Sequence, residues 1–104
     1  MIPTLTLNVA DWTTTPGHRY SRDCEWSGEE YRDKILIPAL EKAQVVEVNL
    51  DGVLGCSSGW LSEVFQGVIS KLGPDVVRRI RVTSTQYGQY VNDVRGWMDE
   101  ALQG

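Results

Sequence analysis

Histidine occurs once in this chain, at His18, and cysteine twice, at Cys24 and Cys56. A Cys/His or Ser/His mechanism would have to draw on that single imidazole. The cysteines show no metal-ligand spacing and sit in no secretory context, so they read as reduced thiols, and neither a metal nor another cofactor is expected. Positive charge is also scarce: 10 Lys and Arg against 14 Asp and Glu leave a formal charge of −4. The one basic cluster, Arg78, Arg79 and Arg81, is too short to track a phosphate backbone, which argues against a nucleic-acid partner. No stretch approaches the roughly 20 apolar residues of a membrane span, and the opening MIPTLTLNV lacks the charged start and apolar core of a signal peptide. The expectation is a cytoplasmic domain with no membrane partner.

What is present suits one small globular unit. At 104 residues, with 41% hydrophobic and 23% charged residues, the chain can build a single core, and residues 1–104 read as one domain. Leu5, Leu7 and Val9 alternate with Thr4, Thr6 and Asn8, the period of a half-buried strand. The Thr-, Pro- and Gly-rich stretch that follows predicts surface structure with a short irregular strand near His18–Ser21. Ser27-Gly28-Glu29-Glu30 is a capping box, in which the Ser27 hydroxyl takes the amide three residues on and Glu30 reaches back to the amide of Ser27. Tyr31, Ile35, Ala39, Leu40 and Ala43 continue that helix, with a kink expected at Pro38.

Val45–Leu50 predicts a central strand closed by an Asp51-Gly52 turn. Trp60, Leu61, Val64, Phe65, Val68, Ile69 and Leu72 outline a second helix, ended by Gly73-Pro74. Residues 80–84 form another strand candidate, and Tyr87, Val91, Val94, Met98, Ala101 and Leu102 a last helix. The order is β-(β)-α-β-α-β-α, an α/β fold with helices packed on a mixed β-sheet containing parallel pairs. In such sheets binding surfaces lie where strands end and the next helices begin. GCSSGW, residues 55–60, falls at that edge.

Three chemistries compete there. Ser57 is the third residue of Gly55-Cys56-Ser57-Ser58-Gly59 and so fits the bare G-x-S-x-G pattern, but a nucleophile elbow needs a larger sheet and a histidine downstream, whereas His18 lies upstream. No enzyme is expected. A phosphate cradle would want the Gly-Lys-Ser/Thr ending of a P-loop, which is missing, leaving a small-molecule or nucleotide sensor at this edge as the alternative. The plainest reading is a helix N-cap by Ser57 or Ser58, worth about 1 kcal/mol. A cap does not exclude a switch, since phosphate at a helix start is favoured by the dipole and adds about −1.5 to −2 charges.

Around it, Glu63 either complements the helix dipole or serves a ligand, Asp51 closes a turn with Gly52 or faces the same edge, and Arg19 pairs on the surface or helps an anion or partner site. Trp60 is a contact anchor if exposed and core if buried.

Residues 16–73 resemble the STAS-like domain family, a bacterial family without an assigned function. Gly17 and Arg19, the Ser27-Gly28-Glu29 helix start with Arg32, Pro38-Ala39-Leu40, Asp51-Gly52, and Ser58-x-x-Leu61-x-Glu63-x-Phe65 carry the likeness. VNLDGVLGCSSGWL is more distantly similar to the anti-sigma-factor antagonists, where a strand leads into Asp-Ser-Ser-Gly and a helix. Cys56 stands in place of the acid and Trp60 in place of a smaller apolar residue. That resemblance implies a non-enzymatic binding or switching module of bacterial signalling, with a histidine-kinase-like ATPase as partner. Ser57 would then be the phosphoacceptor position and Ser58 its neighbour, with Gly55, Cys56, Gly59, Trp60, Glu63, Asp51 and Arg19 shaping the contact surface.

Overall fold

Residues 1–20 and 26–103 are described in a computed structural model of the chain. Three strands, β1 (Ile2–Asn8), β2 (Ala43–Asn49) and β3 (Ile80–Thr83), form one sheet in that order. Both pairings are parallel, with Leu5 opposite Val46 and Leu7 opposite Val48 on one side, and Val46 opposite Ile80 and Val48 opposite Val82 on the other. Because side chains alternate, these six residues share one face. Val46, Val48, Ile80 and Val82 are buried there. The opposite face carries Thr4 and Thr6, with Glu47 and Arg81 in register, and is polar.

The α/β architecture agrees with the alternation of patterns along the chain. The mixed sheet does not, since among the described residues every pairing is parallel. The irregular strand expected near His18–Ser21 is not found over His18–Tyr20, and Ser21 lies outside the described residues. His18 and Arg19 instead give their carbonyls to the amides of Gly28 and Glu29, so that stretch tethers a helix start rather than joining the sheet. A four-residue helix, α1 (Val9–Trp12), was invisible to the periodicity; it continues straight from β1 and buries only Val9.

Between β1 and β2 the chain is helical from Gly28 to Lys42, in three parts: α2 (Gly28–Tyr31), a π-helical segment Arg32–Leu36, and α3 (Ile37–Lys42). Ser27 caps it as expected, taking the Glu30 amide at 3.1 Å. The Glu30 carboxylate takes the amide of Trp26. Pro38, which has no N–H to donate, is met by a widened turn in which the amide of Ile37 reaches the carbonyl of Arg32. The helix thus passes the proline through a π-turn.

After β2 comes α4 (Ser58–Leu72), which buries Trp60, Leu61, Val64, Phe65 and Val68. At about 1.5–3 kcal/mol for each large apolar side chain, burial far exceeds any cap, so the core decides that this helix forms and the cap decides where. Gly73, at φ 94°, ends it in a conformation that favours glycine. A 3₁₀ turn, Pro74–Arg79, leads into β3, and α5 (Gly88–Gln103) closes the domain through Val91, Val94 and Met98. Leu102, placed on that stripe by spacing, is exposed. The basic cluster has structural work: Arg79 donates to the carbonyls of Leu40, Ala43 and Gln44 at the end of α3, and Arg78 pairs with Asp75.

Candidate functional site

The chain between β2 and α4 crosses the carboxyl edge of the sheet, and both of its ends are tied down. At the first end the Asp51 carboxylate accepts from the Ser84 hydroxyl at 2.7 Å, the Thr85 amide at 2.8 Å, the Thr85 hydroxyl at 3.1 Å and the Gln86 amide at 3.0 Å. Those bonds, the Ser84 hydroxyl foremost, hold its pKa down at about 2. The Gly52 amide donates to the Gln86 side chain, and the Tyr87 hydroxyl to the carbonyl of Val53. Asp51 is thus more than a turn former. Its acceptor capacity is directed at the loop before α5, which leaves the same carboxyl edge after β3.

At the second end Ser57 caps α4, its hydroxyl oxygen taking the Trp60 amide at 3.1 Å while its proton goes to the Gly17 carbonyl at 2.7 Å. The Ser57 amide donates to Pro16 and the Leu54 amide to Thr14. Residues 14–17 therefore run along residues 54–57 as a hydrogen-bonded strap. Both functions of the Ser57 hydroxyl serve backbone groups. Ser58, one residue on, is exposed in the first turn.

Between strap and loop lies an open concavity of about 340 Å³, lined by residues 15–17 and 54–57. Leu54 projects at its rim with 81% of its surface in water. Gly55 has open space around it. Cys56 is half-buried, and burial pushes its thiol up to about 12, which keeps it a neutral thiol at physiological pH.

The other expected surface residues divide. Trp60 is fully buried, its indole N–H donating to the carbonyl of Trp26 at 3.2 Å and its ring 5.1 Å from Tyr31. It is core, and the contact-anchor alternative is set aside. Glu63 points back to α2, where its carboxylate pairs with the buried Arg32, and its second oxygen lies 3.9 Å from Arg19. The pairing, more than the helix dipole, accounts for it. Arg32 also grips Asp33, which Lys71 holds from the other side, and that bond to Asp33 leads the rise in the Arg32 pKa. Arg19 lies over Gly59, where a Cβ would stand 3.4 Å from its guanidinium, and donates to Ser62, which is bonded in turn to Gln66.

Contact between α2 and α4 is close enough that a Cβ on Gly28 would come within 2.6 Å of the Trp60 carbonyl. That clasp and the strap hold the junction of β2 and α4 in place. The profile of a family described as STAS-like domain of unknown function (DUF4325) matches residues 27–87, which spans the clasp, β2, the junction, α4 and β3. The chain belongs to the STAS-like domain family. Comparison with curated proteins and with solved structures returned no match. Membership agrees with the three-stranded parallel sheet and its helices.

In this STAS-like domain no helix among the described residues is long and apolar enough to cross a membrane, and no group of three or more His, Cys, Asp or Glu among them could hold a metal ion. Sequence reasoning overlooked Leu54 and the strap. The available signal was two adjacent apolar residues between Gly52 and Gly55, of which a turn can bury one: Val53 is in the core and Leu54 is left outside. Nothing local announced the strap, since its partners lie about forty residues apart.

Proposed function

We propose that this STAS-like domain is a non-enzymatic protein-binding module of bacterial signalling, and that its contact surface is the junction formed by the strap and residues 54–58. The observation that carries the reading is Leu54: a large apolar side chain standing in water beside an open concavity, where a partner that covered it would remove apolar surface from water. Gly55 leaves room for another backbone to approach. Ser57 and Ser58 would be the regulatory hydroxyls, with unlike consequences. A phosphate on the exposed Ser58 would add charge to the rim, whereas one on Ser57 would remove the proton given to Gly17 and loosen the strap. A histidine-kinase-like ATPase is the partner this reading names.

A small-molecule sensor using the same concavity is the second reading, favoured by the volume alone. The lining carries no cationic side chain, so a nucleotide's phosphates would find only neutral donors there.

The test is a pull-down from bacterial lysate with the wild type, Leu54→Ser, Ser57→Asp and Ser58→Asp, read by mass spectrometry for ATPases and for phosphate on residues 55–60. Support would be an ATPase of that kind, retained by the wild type and lost with Leu54→Ser and with at least one aspartate variant. Recovery of one identical set by all four, with no phosphopeptide, would sink the reading.

A further inference from the structure

A second cavity, of about 260 Å³, opens between the end of β1, α1 and the helix that follows Ser27, lined by residues 6–8 with Asp11, Trp12, Tyr31 and Ile35. It is independent of the junction reading. Tyr31 is 1% exposed, yet among the described residues its hydroxyl has no hydrogen-bond partner. Folded proteins seldom leave a buried O–H unpaired, because the lost hydration is not recovered. Phenylalanine would fill the same space without that cost, so the hydroxyl calls for a partner that the described residues do not supply.

The chemistry of the lining narrows what that partner is. Among the described residues Asp11 is the one charged residue of the lining, and it is exposed to water. Asp11 and Tyr31 both line the cavity, and burial, and then the negative field of Asp11, push the Tyr31 phenol well above its usual range. An anion would be repelled and a cation attracted. Leu7 and Ile35 are half-buried and apolar, and the Trp12 ring meets Tyr31 edge-on at 5.2 Å, so hydrocarbon and aromatic faces adjoin the charge.

We propose that this cavity binds a small organic ammonium ion, its charge against Asp11, an N–H donated to the Tyr31 hydroxyl oxygen, and its hydrocarbon part between Leu7, Ile35 and Trp12. The hydroxyl is buried, so the ion displaces lining side chains to reach it, and the Trp12 ring beside Tyr31 reports its arrival.

The experiment titrates the folded domain with benzylammonium and butylammonium, with butyrate as the anion of matching size, following amide resonances of residues 6–12 and the indole N–H of Trp12. The expected result is saturable shifts with the two ammonium ions and none with butyrate. Asp11→Asn and Tyr31→Phe should each weaken binding by at least about tenfold. Without ligand, Tyr31→Phe should melt at the same temperature as the wild type or higher. No saturable shift at millimolar benzylammonium, equal binding of butyrate, or unchanged affinity in Tyr31→Phe would overturn the proposal. So would a lower melting temperature of unliganded Tyr31→Phe, because the hydroxyl would then be held by trapped water as part of the fold.

Discussion

Residues 54–58 and residues 60–63 are near neighbours on one stretch of chain, yet they face opposite demands. The first group ends in water, with Leu54 and Ser58 exposed and Gly55 unencumbered; the second is pressed into α2, with Trp60 fully buried and Glu63 paired to Arg32. Between them the Ser57 hydroxyl bonds both ways, to the helix through Trp60 and to the strap through Gly17. Exposed side chains at the tip, Leu54 and Ser58, can therefore be altered at little cost to the fold, while the base cannot. Stability is the measurement that separates the two halves.

The sharpest way to break the contrast is at the base. Arg32 and Glu63 are 7% and 15% exposed at their side chains, so removing one partner strands a charge where water barely reaches. Glu63→Ala should destabilise by about 3 kcal/mol, the lower end of the usual range because Asp33 still holds Arg32. Urea unfolding measures it. Pairing it with Arg32→Met should recover much of the loss, since an apolar pair needs no compensation there. A loss for Glu63→Ala no larger than that of an exposed surface change would mean the ion pair is not formed.

A gentler probe sits at the boundary. Ser57→Ala should cost about 1 kcal/mol through the lost cap, and Ser58→Ala should stay within about 0.5 kcal/mol. Hydrogen exchange should quicken at the Trp60 amide in the first variant and not the second. Equal effects would erase the distinction between the two serines.

The smallest effect is confined to acid. The Asp51 carboxyl is held at about 2, below the ordinary 3.8, so the stability it contributes is present above the ordinary value and is lost as pH falls through about 2. Its exposure to water screens the contribution. Protection of the Thr85 and Gln86 amides, taken relative to intrinsic exchange at each pH, should fall over that interval in the wild type and not change with pH in Asp51→Asn. Titration of the Asp51 carboxyl at the ordinary value would show the staple absent.

Local chemistry explains what could be read from the chain in advance. The alternation in residues 4–9, the β-branched run before Asp51, the three-and-four spacing after Trp60 and the Ser27 cap each depend on neighbours within a turn or a pleat, and each element is found. Residue partners far apart in the chain were out of reach. Glu63 looks like any helix-start acid until Arg32 is brought beside it, and Asp51 looks like any turn aspartate until Ser84–Gln86 arrives. Trp60 was ambiguous for the same reason: its burial depends on Gly28, which lets α2 close upon α4. At the candidate site the loop-to-helix junction was legible, whereas the strap and the exposure of Leu54 were not. The strand placed near His18 failed because His18 and Arg19 give their carbonyls to a helix start.

The π-turn ahead of Pro38 also has a bearing on how this domain could tolerate editing. It absorbs one extra residue in the winding of residues 28–42, so that the half with Tyr31 and Arg32 and the half with Ala39 and Leu40 each bury those residues. Excising one residue from Arg32–Leu36 would restore uniform α-winding and leave the two halves close to their present phase. The proline would then meet the carbonyl four residues back, so the length of this segment answers to Pro38 and not to the packing of its two halves.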